Sequence, residues 1–377
     1  MFPAIEYLEW IDGRPEAVTH DLASSDLRPA THADGPIPSR LAGRADPPGQ
    51  PRVDALVADQ YDVDPENVLV TAGASNANAL AFTVAAQRLA RDPEAAVVPA
   101  MDSDDHDDAG PSHVLVEKPG YEPLTATPRG FGARVDRFMR PQGILDPARV
   151  DGALTDGTEL VAVTDRHNPT GRRADRDALV ASAAVVADAD ARLLVDEVYA
   201  PFTTTPTDEP FGAPSMAGTD GVVTTGSLTK FLGLGGLRVG WLVADPAFVA
   251  AAERVRHHLP SVAQPSLALA RRAFHHLDDL AADSRRRIQR NHDLLADFAA
   301  DRHDLAGHVH DGATYAVLEH DDVDGTTLAD DALDAGVLVV PGRFFDQPDA
   351  VRISLGRPTQ QVTAALDALA DALDDLA

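Results

Sequence analysis

The chain contains no cysteine. Disulfides, cysteine-ligated zinc, iron–sulfur clusters and thiol nucleophiles are therefore excluded together. Lysine is nearly absent as well: among 32 basic residues only Lys118 and Lys230 are lysines. No stretch approaches the roughly 18 apolar residues that a membrane span requires. The first residues carry Glu6 and Glu9 with no basic cluster before them, which does not fit a secretory signal. The expectation is a soluble, cytoplasmic protein with no membrane partner.

What is abundant is acid. The chain has 60 acidic residues, and its formal net charge is −28. Such a surface repels phosphate backbones, so no nucleic-acid partner is expected. Dense carboxylates also suit a salt-adapted chain from a halophile, because concentrated salt screens their mutual repulsion. The run DSDDHDD at 102–108 then reads as a solvated surface loop. It lacks the fixed ligand spacing and turn glycine of a cation loop. The histidine pairs at 257/258 and 275/276, with His308 and His310, show no His-x-x-x-His spacing with an acid, so no metal site is expected.

A length of 377 residues suggests two domains. Over residues 45–265 short apolar segments alternate with helical ones. Strands are predicted at 67–71, 113–117, 159–164, 192–196, 221–225 and 238–243. Helices are predicted at 53–61, 75–91 and 174–188. This pattern implies an α/β domain with a mostly parallel sheet covered on both faces. The rest reads as a smaller α+β domain. It has helices at 279–300, 326–335 and 360–376 and strands at 315–318, 337–340 and 350–354. The Pro-rich residues 1–44 are expected to pack against it.

The chemistry begins at Ser227-Leu-Thr-Lys230. Arginine stays protonated, whereas lysine can lose its proton and attack a carbonyl. A lysine kept in an arginine-rich chain is thus a candidate amine. It follows a strand end, where ligands collect in open α/β sheets. Ser227 and Arg238 are placed to bind a phosphate. The glycines at 233, 235, 236 and 240 precede a strand rather than a helix, so they are no dinucleotide fingerprint, and a nicotinamide dehydrogenase is excluded. Asp196 ends the apolar run LLVD and needs a partner such as a protonated heterocyclic nitrogen; Tyr199 lies three residues on. His167-Asn168-Pro-Thr-Gly171 is by itself an ordinary turn. Gly73, Ala74 and Ser75 join a strand to an Ala-rich helix and leave backbone N–H groups free for an anion.

Taken together and in order, the segments TAGAS, PGY, NPTG, DEVY, SLTKFLGLGGLRVG and VRIS resemble the class I/II aminotransferases among fold-type I pyridoxal-phosphate (PLP) enzymes. The resemblance runs from about residue 53 to 357. It implies that Lys230 carries the cofactor as a Schiff base and shuttles protons, and that Asp196 pairs with the pyridine nitrogen. It implies that Tyr199 and Asn168 bond the ring oxygen and that Tyr121 stacks on the ring. The phosphate falls to Gly73, Ala74, Ser75, Ser227 and Arg238, and the substrate carboxylate to Arg352, with Asn168 beside it. It also implies a homodimer. The family's phosphate-binding tyrosine from the partner subunit has no counterpart in LAGRADPPGQPRVDAL. The expected activity is transfer of an amino group from an L-amino acid to a 2-oxo acid. A PLP-dependent lyase or decarboxylase on the same fold is the alternative.

Overall fold

The computed structural model describes residues 2–29, 35–88, 111–203, 211 and 213–375. The acidic run at 102–108 lies outside the described residues. The chain opens with two short helices, α1 (Glu6–Ile11) and α2 (Arg14–Ala17), and a short strand, β1 (His20–Asp21). Then follow α3 (Val53–Tyr61), β2 (Val68–Thr71), α4 (Ala74–Ala86), β3 (His113–Lys118), α5 (Pro123–Gly130) and β4 (Arg134–Met139). Next come α6 (Pro147–Asp151), β5 (Thr158–Thr164), α7 (Arg176–Asp188), β6 (Arg192–Asp196), β7 (Val222–Ser227) and β8 (Gly240–Val243).

These strands form one seven-stranded sheet in the order β2-β8-β7-β6-β5-β3-β4. Only β8 runs antiparallel to its neighbours. The alternation of side chains along a strand explains the two-sided core. Val114, Val116, Leu160, Ala162 and Leu194 face one apolar cluster with α4. Leu115, Val161, Val163, Leu193 and Val195 face the other, with α7. Strands buried on both faces read as continuous apolar runs, which is why β5 and β6 are visible in sequence. The sheet's edge strand β4 is not among the predicted strands. Its sequence RVDRFM carries charge at 134, 136 and 137 and buries only Val135 and Phe138.

The chain continues through α8 (Pro246–Arg256), α9 (Gln264–His275), the long α10 (Leu277–Asp301), β9 (Leu305–Gly307) and β10 (Tyr315–His320). It ends with α11 (Gly325–Asp334), β11 (Val337–Leu338), β12 (Val340–Pro341), β13 (Ala350–Ser354) and α12 (Thr359–Asp374). A four-stranded antiparallel sheet has the order β12-β13-β10-β9. The single strand predicted at 337–340 is in fact two. β11 pairs in parallel with β1 and β12 pairs with β13, so the chain changes sheets at Val339. The helix α10 joins the two halves: Leu280 and Ile288 sit in the core beside Trp241, and Leu295 in the core beneath β10 and β13.

Candidate active site

The carboxyl ends of β2, β3, β5, β6 and β7 share one edge of the seven-stranded sheet, because β8 is the one reversed strand. A cavity of about 230 Å³ lies there, between that edge and Arg352 of β13. Of the predicted site residues, Ala74, Ser75, Tyr121, Asn168, Asp196, Tyr199, Ser227, Lys230, Arg238 and Arg352 all line it. Gly73 stands directly behind: a Cβ there would come within 2.8 Å of Arg238 Nη2.

Lys230 follows β7. Its Nζ donates to Ser25 Oγ at 3.3 Å and lies 5.4 Å from the centre of the Tyr199 ring. Burial works to lower its pKa, but Tyr199, Asp26, Tyr121 and Tyr7 outweigh burial and the net shift is upward. The Tyr199 hydroxyl is 2.6 Å from Ser25 Oγ. Asp196 ends β6 and is buried. Its Oδ2 accepts from Asn78 Nδ2 at 2.8 Å, and its Oδ1 from the Val198 N–H at 3.2 Å. Asn78 Oδ1 in turn accepts from Thr225 Oγ1 at 2.7 Å. Burial raises the Asp196 pKa against these bonds and the charge of Lys230. A protonated ring nitrogen is a partner that suits such a carboxylate.

Arg352 is only 1% exposed. Its Nη1 donates to Asn168 Oδ1 at 2.7 Å and its Nη2 to the Tyr7 hydroxyl at 3.1 Å. Its Nε has no partner among the described residues. The guanidinium carbon sits 4.4 Å from the Phe345 ring centre, which fixes its plane. The Asn168 N–H donates to Thr164 Oγ1 at 3.0 Å, anchoring the turn after β5. Neighbouring His167 is buried between Thr170 Oγ1 at 2.8 Å and Pro119 O at 3.0 Å. Burial and then Arg140 hold its pKa well below the usual value, so it serves as a neutral strut.

At the other end, α4 begins at Ala74; the Asn76 and Ala77 N–H groups donate to Gly73 O at 3.1 and 3.2 Å, which leaves the N–H groups of Ala74 and Ser75, both lining the cavity, for an anion. Gly73 has φ +85°, a conformation that glycine permits. Arg238 Nη2 donates to Ala72 O at 3.3 Å, which lays the guanidinium across this turn. Ser227 lines the same cavity, and its Oγ accepts from the Thr229 N–H at 3.3 Å. First-turn amides, a hydroxyl and a guanidinium together make an anion cradle.

Sequence reasoning missed Tyr7, Ser25 and Asn78. Asn78 left a trace, as a polar residue in the Ala-rich helix α4. Tyr7 and Ser25 left none, because the N-terminal segment reaches the cavity only through tertiary packing. Among the described residues no three His, Asp or Glu side chains group as metal ligands. Nor is any described helix long and apolar enough to cross a membrane.

The chain is similar to several known proteins. Residues 38–369 match the family model "Aminotransferase class I and II". The chain is 30% identical over 269 residues to capreomycidine synthase of Streptomyces vinaceus, covering 69% of this chain and 68% of that enzyme. It is 33% identical over 125 residues to histidinol-phosphate aminotransferase of Granulibacter bethesdensis, a match that spans only 33% of that enzyme. Among solved structures, a PLP-dependent aminotransferase from Streptococcus suis superposes with a TM-score of 0.80 at 20% identity, over 99% of this chain and 98% of that one. The chain belongs to the class I and II aminotransferase family. It is a fold-type I, pyridoxal-phosphate-dependent transferase. The residues present fit that cofactor: an anion cradle, a buried carboxylate and a lysine amine line one cavity.

Proposed function

We propose that the protein moves the amino group of an L-amino acid to a 2-oxo acid, with Lys230 as covalent anchor and proton carrier. One observation carries the reading: buried Arg352, braced by Asn168 and Tyr7, shares a cavity with Lys230. A planar guanidinium suits a carboxylate held by two parallel bonds. With that carboxylate clamped and neutralised, the α-hydrogen is the group left for Lys230 to remove. Pyridoxal phosphate, when bound, supplies an electron-accepting ring for the charge left at the α-carbon. Asp196 would pair with the ring nitrogen and keep it protonated. Tyr199 and the Asn168 amide would donate to the ring oxygen, and Tyr121 would cover the ring. The first-turn N–H groups of Ala74 and Ser75, with Gly73, Ser227 and Arg238, would hold the phosphate.

Holoprotein mixed with an amino acid alone should release one equivalent of the 2-oxo acid and keep the amino group. A second 2-oxo acid should then collect it, as two-step transfer requires. Release of carbon dioxide or ammonia would overturn the reading. The likeness to capreomycidine synthase supports a second reading, in which the same cavity serves a PLP-dependent lyase or synthase reaction. In that case the amino group never stays on the protein.

The acid excess supports an origin in a halophile, and the family supports a cytoplasmic homodimer. A second cavity, of about 660 Å³, shares Lys230 and Arg238 with the first and is lined by Arg28, Arg40 and Arg357. A partner subunit would complete the site on this side. Sedimentation at working salt should give twice the chain mass, and a monomer that retains activity would refute the dimer. The seven-stranded sheet is proposed as the core of the cofactor domain, residues 45–265. The four-stranded sheet is the core of the smaller domain, residues 1–44 and 266–377.

A further inference from the structure

Ser25 is buried, belongs to no motif, and lies between two groups of the site. Its Oγ is 2.6 Å from the Tyr199 hydroxyl and 3.3 Å from Lys230 Nζ. The adjacent Ser24 takes the local turn role, donating from both N–H and hydroxyl to Asp21 at 3.0 and 2.6 Å. Ser25 is therefore free to turn its side chain into the cavity, which it lines.

The backbone around Ser25 is clamped from both sides. Ser354 N–H donates to Leu22 O at 2.7 Å, and Gly356 N–H to Ser24 O at 2.8 Å. On the other side Leu27 N–H donates to Lys230 O at 3.0 Å. A Cβ at Gly356 would lie 2.2 Å from Asp26 O and 2.3 Å from Ser24 O, so the two segments meet as closely as backbones can. The segment thus bridges the strand of Arg352 and the loop of Lys230, and it sets the height of the Ser25 hydroxyl over the amine.

We infer that Ser25 is the positioning residue for the Lys230 amine, holding it on the Tyr199 side of the cavity in both protonation states. A serine hydroxyl has one donor and two acceptor sites. Against an ammonium it accepts from Nζ and donates to the Tyr199 oxygen. A neutral amine keeps two N–H donors, so it makes the same bond to Ser25 Oγ with its lone pair left free, and the Tyr199 hydroxyl keeps its own proton for the ring oxygen. The two states differ by the one proton that Nζ takes up or gives back during transfer, and the Ser25 contact persists through both. A lysine that ferries a proton needs such a partner, because its four-carbon stem is flexible. This inference rests on the proposed role of Lys230 and adds the group that aims it.

The test compares Ser25→Ala, Ser25→Cys and Ser25→Thr with wild type as full-length holoprotein. Ala and Cys, lacking a strong hydroxyl, should slow the amino-acid half-reaction roughly tenfold or more. The KM should stay within about twofold and the α-deuterium isotope effect should grow. Thr should restore most of the rate. A second readout does not depend on turnover. The full chain, freed of cofactor, is given pyridoxal phosphate across a pH series and fixed with borohydride. The midpoint of capture should move to lower pH in Ser25→Ala, because the ammonium has lost an acceptor. Unchanged rates and an unchanged midpoint would overturn the inference. So would a lower melting temperature as the sole effect, with no rescue by Thr. Label absent from Lys230 in the wild type would instead overturn the reading of Lys230 itself.

Discussion

Asp196 and Glu197 are neighbours, both buried, and their carboxyl groups meet different surroundings. Asp196 faces the cavity, with Asn78 behind it. Asp196→Asn should keep the cofactor but slow the half-reaction by about a hundredfold or more, since a neutral amide cannot hold a ring nitrogen protonated. Stopped-flow absorbance measures this, and a wild-type rate would mean that another acid does the work. Glu197 points away, accepting from the Met216 N–H at 2.7 Å and Ser215 Oγ at 2.6 Å. Burial is the main cause that pushes its pKa up from 4.5 to about 7. Between those two values the folded chain holds a proton that the unfolded chain has released. The contribution of Glu197 to stability therefore falls as pH rises through that window. Melting curves at pH 5 and pH 7.5 should show wild type losing ground to Glu197→Gln; parallel behaviour of the two would contradict the assignment.

At the scale of elements, the anion cradle depends on how β8 passes beneath the β2–α4 turn. Gly240 starts β8, and a Cβ there would lie 2.5 Å from the Gly73 carbonyl carbon and 2.6 Å from the Ala74 nitrogen. Backbone, not a flexible side chain, would have to move. Gly240→Ala should cost about 1–3 kcal/mol of stability and weaken cofactor binding severalfold, as read by equilibrium titration. Gly236→Ala is the control, since a Cβ there meets nothing within 4 Å. Equal cofactor affinity in both variants would count against this packing. The same element shows what sequence can carry. The strand ends β5, β6 and β7 are legible because apolar runs stop at polar residues where a doubly covered sheet meets its cavity. Ser25 and Tyr7 are not legible, because their positions follow from pairings such as Leu22 with Leu338 and Ser354. The helix α8 lies outside the sequence-based expectations, although Asp245 caps it by accepting from the Phe248 N–H at 2.9 Å and proline follows the cap.

Across the whole molecule, charge is the unusual property. A net charge of −28 on 377 residues sets the surface against itself. The fully buried pair of Glu117 and Arg140 lies beyond the reach of salt, whereas exposed carboxylates do not. Unfolding midpoints should therefore rise from dilute buffer to molar KCl, with the largest gain where the Debye length first falls to about 10 Å. A midpoint that stays level or drops would show that the acidity is compositional only and would remove the case for a halophile.

Every role proposed at the site follows from Lys230 being the residue that holds the cofactor. Borohydride reduction of the holoprotein followed by peptide mapping tests this most directly, because only two lysines are present to choose between. The pyridoxyl mass should appear once per chain, on the peptide carrying Lys230, and should vanish in Lys230→Ala while persisting in Lys118→Arg. Label on Lys118, or none on either lysine, would contradict the account.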